Sequence, residues 1–163
     1  MLNKLQSNIN KIRLNKPLIL ALTNYVTMEF VANSIISVGA APIMSESIEE
    51  IEDLLKISSA LYVNIGTLNH EFFKRAEFAC KKAKEYNIPV ILDPVGVGAS
   101  EIRVKAVKAL LPFVNIIRGN ASEILAACGN INEILGVESI HQVSDAASVA
   151  KEIAFTFNIT VMV

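Results

Sequence analysis

Asp93, Arg118 and Glu123 are the residues whose types and spacing point to chemistry on a charged ligand. Asp93 ends an apolar run and precedes Pro94 in "LDPVGVGASEIR" (92–103), where Gly96 and Gly98 follow one residue apart. Arg118 and Glu123 share "IIRGNASEI" (116–124). Carboxylates hold a hydrated cation, a guanidinium clamps phosphate oxygens, and glycines let backbone N–H groups approach an anion. Together they suit a magnesium-bound polyphosphate. Each also fits a plainer role. Asp-Pro starts turns, Asn120 with Glu123 makes a capping box, and Arg118 suits a surface ion pair. The standard phosphate loops do not fit. "GVGASE" places Glu101 where a third small residue is wanted, and no G-x-x-x-x-G-K-[ST] occurs.

The elements that must position these groups alternate in type. "PLILALTN" reads as a buried strand over Leu18–Leu22 that ends in polar Thr23 and Asn24. A helix follows with Val26, Phe30, Val31, Ser34 and Ile35 on one side and Gly39 as its stop. "SIEEIEDLLKIS" reads as a second helix opened by a Ser47 and Glu50 capping box. "ALYVNIGT" is a strand ending at Gly66, and residues 70–87 form an amphipathic helix with Phe72, Phe73, Ala76, Ala79, Cys80 and Ala83 inward. "IPVILD", "FVNIIRG" and "ITVMV" complete the strands, the last running from Ile159 to Val163. "SEIRVKAVKALLP", "NASEILAACG" and "SDAASVAKEIAFTFN" are the helices between and around them. Strands apolar on both faces, alternating with helices, indicate the α/β class with a parallel sheet covered on both sides.

Ligands of open parallel sheets sit outside the carboxyl ends of the strands. Those ends are Thr23 and Asn24, Asn64 and Gly66, Asp93, and Arg118 with Asn120. Asp93, Arg118 and Glu123 are therefore expected to meet at one edge.

The 163 residues suit one domain, 1–163, with no repeat, low-complexity tract or linker. Formal net charge is -1, with basic residues spread along the chain, which argues against nucleic-acid binding and against a polybasic membrane patch. No apolar run is long enough to cross a bilayer, and the N-terminus lacks a signal-type apolar core, so a cytoplasmic location is expected. Cys80 and Cys128 lack metal-type spacing and read as small buried hydrophobes. His70 and His141 read as structural, and Met44, by type alone, as core filler.

Taken together, "TNYVTMEFVANSIISVGAAPIMSES" (23–47), "NIGTL" (64–68), "IPVILDPVGVGASEIR" (88–103), "IIRGNASEI" (116–124) and "GVES" (136–139) resemble the hydroxyethylthiazole kinase family of thiamine salvage. The resemblance implies a ribokinase-like layered α/β/α fold with a mostly parallel sheet. It implies transfer of the γ-phosphoryl group of ATP to the primary alcohol of 4-methyl-5-(2-hydroxyethyl)thiazole, with Mg2+. By the same resemblance Asp93 and Glu123 are the magnesium-associated carboxylates and Arg118 contacts ATP. Met44 and Asn24 lie on the thiazole side, and a homotrimer is expected.

Two departures accompany it. The family's first strand commonly reads P-L-V-H-N-I-T-N, where this sequence has Leu20 and Ala21 in place of the polar pair. The family also continues beyond the position of Val163 into a Gly-rich anion loop that carries a reactive cysteine, a part neither Cys80 nor Cys128 can supply. No catalytic residue is therefore identified up to Val163. The expectation for residues 1–163 is a domain incomplete at its C-terminus, with thiazole binding retained and phosphorylation very weak. A non-enzymatic remnant or thiazole-binding module is the alternative. A related kinase for hydroxymethylpyrimidine or pyridoxal is disfavoured by Met44 and "NIGTL".

Overall fold

The computed structural model describes residues 2–129 and 146–163, apart from the side chain of Cys128. The expectations for Cys128, His141 and "GVES" at 136–139 lie outside the described residues. In chain order the elements are α1 (Leu2–Asn15), β1 (Leu18–Leu22), α2 (Met28–Val38), β2 (Ala41–Ile43), α3 (Ile51–Ile57) and β3 (Ala60–Asn64). Then come α4 (His70–Glu85), β4 (Val90–Asp93), α5 (Glu101–Leu110), β5 (Ile116–Arg118), α6 (Ala121–Gly129), α7 (Ala146–Phe157) and β6 (Thr160–Met162). Short 3-10 turns cover Val97–Ala99 and Leu111–Phe113.

The six strands form one parallel sheet in the order β2-β1-β3-β4-β5-β6. The chain steps one way from β1 to β2 and the other way ever after. Right-handed crossovers then place α2 on one face and the later helices on the opposite face. That reversal makes the gap between the ends of β1 and β3 a topological switch point, the place where such sheets bind ligands.

Alternation along each strand sorts its side chains between two unlike faces. Leu20, Leu22, Leu61, Val63, Val90, Leu92 and Ile117 are fully buried, in one core with Leu55, Ala76, Ala79, Cys80 and Val107 of α3, α4 and α5. The other face carries Ile19, Tyr62, Ile91 and Ile116, each only half-buried. Here the sheet is less evenly covered than its apolar strands imply. A cavity of about 760 Å³ separates it from α1 and α2, bordered by Ile19, Tyr62, Ile91, Val31 and Ile35. The helix stripe read from sequence lines this cavity instead of closing on a core, so Val26 is 85% exposed and Phe30 74%.

The expected stop at Gly39 holds. Gly39 ends α2 with a left-handed φ of 101°. Asn69 caps α4, its side chain accepting from the Phe72 N–H at 2.8 Å. The Ser47 capping box does not form. A turn occupies 48–50, α3 begins only at Ile51, and its N-cap Glu50 makes no side-chain capping bond. Ser47 bonds Glu49 instead, while Ser45 takes Glu50.

The strand expected over Ile159–Val163 is one residue shorter at each end. β6 covers only Thr160–Met162, and Val163 lies outside it. Among the described strands β6 pairs with β5, and Met162 and Val163 are 54% and 63% exposed.

Candidate functional site at the carboxyl edge of the sheet

Register places the polar groups. Asn64 pairs with Asp93 across β3 and β4, and Leu92 pairs with Ile117 across β4 and β5, so the next residues, Asp93 and Arg118, become neighbours. Tyr62, Asn64, Asp93 and Arg118 all border the cavity.

Arg118 Nη1 donates to Asp93 Oδ2 at 2.9 Å, an ion pair between a carboxylate 7% exposed and a guanidinium side chain 63% exposed. The Tyr62 hydroxyl donates to the same Oδ2 at 3.0 Å and accepts from Asn64 Nδ2 at 3.1 Å. Asn64 Oδ1 accepts from Asn24 Nδ2 at 2.8 Å and from the Gly66 N–H at 2.9 Å. Asn24 completes the chain by bonding Thr27 twice, Nδ2 to Oγ1 at 2.8 Å and Oδ1 from the backbone N–H at 3.0 Å. One run of hydrogen bonds thus crosses the ends of β1, β3, β4 and β5. It spans the switch point.

Burial raises the Asp93 carboxyl above its ordinary value; the Tyr62 bond and Arg118 pull it down, and the Glu123 charge pushes it up. Burial also pushes the Tyr62 phenol up to about 12, so it stays protonated and donating near neutrality.

Glu123 sits at the start of α6, and the plainer reading of "NASE" is realised there. Glu123 Oε2 accepts from the Asn120 N–H at 3.0 Å, and Asn120 Oδ1 accepts from the Glu123 N–H at 2.9 Å. Its other oxygen accepts from the Gly96 N–H at 3.1 Å, which ties the glycine loop to α6. Gly96 has φ +66°, a conformation that side chains resist. Asp93 ends β4 directly before a turn, in which the Val97 N–H donates to the Pro94 carbonyl at 3.0 Å. Arg103, which sequence reasoning passed over, braces this corner by donating to the carbonyls of Ile65, Gly66 and Val95, each at 2.8 Å.

Asn24, Asp93 and Arg118 are therefore brought together, with Glu123 one loop away. Met44 is not among the residues that line the cavity. It follows β2, one strand beyond β1, in a loop that Arg75 Nη1 holds by the Glu46 carbonyl at 2.8 Å. Val163 does not line the cavity either, although β6 reaches the same edge: the Gly119 N–H donates to the Met162 carbonyl at 3.1 Å. Cys80 is fully buried in α4, and burial pushes its thiol up to about 12, which makes it inert as expected. His70 is the exposed first residue of α4.

The residues fit a magnesium ion held largely through water. Among the described residues both side-chain hydrogen bonds to the Asp93 carboxylate fall on Oδ2, and none falls on Oδ1. No group of three or more His, Cys, Asp and Glu capable of holding a metal occurs among the described residues. Magnesium commonly needs only one or two carboxylates because it keeps most of its water.

Among the described residues no helix is long and apolar enough to cross a membrane. The profile of the Hydroxyethylthiazole kinase family matches residues 9–163. A relative from Chlamydia abortus named hydroxyethylthiazole kinase is 46% identical over 154 residues, which cover 94% of this chain and 59% of the relative. The structure of a hydroxyethylthiazole kinase protein from Pyrococcus horikoshii OT3 superposes with a TM-score of 0.84 at 31% identity, covering 94% of this chain and 57% of that one. Adenosine kinase from Anopheles gambiae, at 13% identity, matches 90% of this chain and 52% of its own with a TM-score of 0.57, a likeness of fold alone. The chain spans about six-tenths of the length of the curated relatives it matches.

Proposed function

The chain belongs to the hydroxyethylthiazole kinase family, and from that premise we propose that its sheet edge serves ATP-dependent phosphorylation of 4-methyl-5-(2-hydroxyethyl)thiazole. The observation that carries the reading is the unbroken hydrogen-bonded run from Asn24 to Asp93 and Arg118 across the switch point. It joins a neutral amide end to a charged end. An amide pair suits a hydroxylated, uncharged ring, while a carboxylate and a guanidinium suit a metal-bound phosphate.

In this reading Asn24 orients the thiazole alcohol and Met44 belongs to the thiazole side from the neighbouring strand end. Arg118 turns from Asp93 toward ATP phosphate oxygens, as its exposure allows. Asp93 holds Mg2+ through Oδ1, and Glu123 joins it through water. Bound magnesium neutralises the charge that builds on phosphate oxygens during transfer. The residues' part is positioning, which supplies most of the catalysis of phosphoryl transfer. The reading extends to one ribokinase-like domain over 1–163, a homotrimer and a cytoplasmic location.

Calorimetry with the thiazole alcohol, hydroxymethylpyrimidine and pyridoxal tests the substrate class. Binding of the thiazole alcohol at least tenfold tighter than the other two, and its loss in Asn24→Ala, supports the reading. Equal binding of the three sinks the thiazole assignment.

A further inference from the structure

The magnesium-nucleotide reading uses Asp93 but does not account for the phenol beside it. We propose that Tyr62 is the positioning residue of Asp93, its hydroxyl fixing the carboxylate so that Oδ1 alone is presented to the hydrated magnesium ion. The inference rests on the reading of Asp93 given under Proposed function.

A phenol has one proton to donate. At Tyr62 the Asn64 amide donates to the phenol oxygen at 3.1 Å, so the proton is left for Asp93 Oδ2 at 3.0 Å. Arg118 approaches the same oxygen at 2.9 Å from β5. Two donors arriving from the strands on either side of β4 fix the rotation of the carboxylate. They also decide which oxygen stays open.

The two donors are unequal. The Arg118 side chain is 63% exposed and is the group that phosphate would draw away. Tyr62 is set in the sheet, in register with Ala21 on β1 and Ile91 on β4. With Arg118 engaged elsewhere, Tyr62 is the remaining side-chain donor among the described residues that holds the Asp93 carboxylate in place. Replacement by phenylalanine keeps the ring and removes that donor.

The test measures ATP affinity with and without Mg2+ by calorimetry for wild type, Tyr62→Phe and Asp93→Ala. The expected result is a three- to tenfold loss of magnesium-dependent affinity in Tyr62→Phe, unchanged magnesium-free ATP affinity, and a larger loss in Asp93→Ala. A purely structural role for Tyr62 would not separate the two ATP affinities. Wild-type magnesium affinity in Tyr62→Phe alongside loss in Asp93→Ala overturns the inference and leaves the Asp93 reading intact. Equal affinity of wild type and Asp93→Ala removes the reading and the inference with it. Should Tyr62→Phe fail to fold, wild-type tyrosine emission gives a second measurement, since the chain has no Trp and three Tyr. Magnesium added to the ATP-bound protein should change that emission, and no change on demonstrated binding overturns the inference.

Discussion

Asp93 and Arg118 form an ion pair at 2.9 Å in which the carboxylate is buried and most of the guanidinium is not. The exposure of one partner limits what the pair contributes to folding, on the order of 1 kcal/mol or less. Arg118→Ala is therefore expected to leave thermal stability nearly unchanged while weakening magnesium-ATP binding by about tenfold, roughly 1.4 kcal/mol. Calorimetry and a thermal melt on the same preparation check both halves. A variant that loses stability but keeps its affinity would return Arg118 to a structural ion pair.

Glu123 separates two roles that coexist in the structure. It accepts two backbone N–H groups, from Gly96 and Asn120, and the loss of such a cap costs roughly 0.5–2 kcal/mol. Glu123→Ala should lose about that much in urea unfolding, and Glu123→Gln less, because one amide oxygen still accepts. Both variants should weaken magnesium-ATP binding if the charge matters. Wild-type binding by Glu123→Gln would leave the capping box as its whole function.

Gly66 fits against the flat face of Asn24. A Cβ there would lie 2.9 Å from Asn24 Cβ, Cγ and Nδ2, inside normal contact distance. Gly66→Ala must push Asn24 out of its bonds to Asn64 and Thr27, with overpacking of this kind costing about 1–3 kcal/mol. Lower stability and weaker binding of the thiazole alcohol are expected together. Unchanged values of both would show that Asn24 can yield without loss.

The pH dependence follows from the sign of the Asp93 shift. Its folded carboxyl titrates above its unfolded value, chiefly through burial, so the native state holds the proton more tightly. Its contribution to stability is greatest below the unfolded carboxyl range and falls as pH rises through the folded value. Asp93→Asn removes the charge and should melt higher than wild type at neutral pH without magnesium, while losing magnesium-ATP binding. Melts from pH 3 to 8 give the comparison. A lower melting temperature for Asp93→Asn at neutral pH would contradict the sign.

Much of this site was legible before any coordinates, for a physical reason. Parallel strands expose their carboxyl ends at one edge, so polar residues ending "VILD" and "IIR" had to meet there. Tyr62 was not legible. Inside "ALYVN" an aromatic residue reads as an ordinary strand former, and only its spacing of two from Asn64 hints that both share a face. The Ser47 capping box failed because side-chain type does not fix where a helix begins; the turn at 48–50 took the residues first. The open cavity was equally hidden, since the stripe of α2 is apolar whether it meets a core or borders a cavity.

The most direct test of the account is magnesium-ATP binding by wild type and Asp93→Ala, measured by calorimetry at one pH and ionic strength. The account predicts measurable binding by wild type and an affinity at least tenfold weaker in the variant, about 1.4 kcal/mol. Equal affinities, or none in either protein, would contradict it and leave Asp93 as a turn former paired with Arg118.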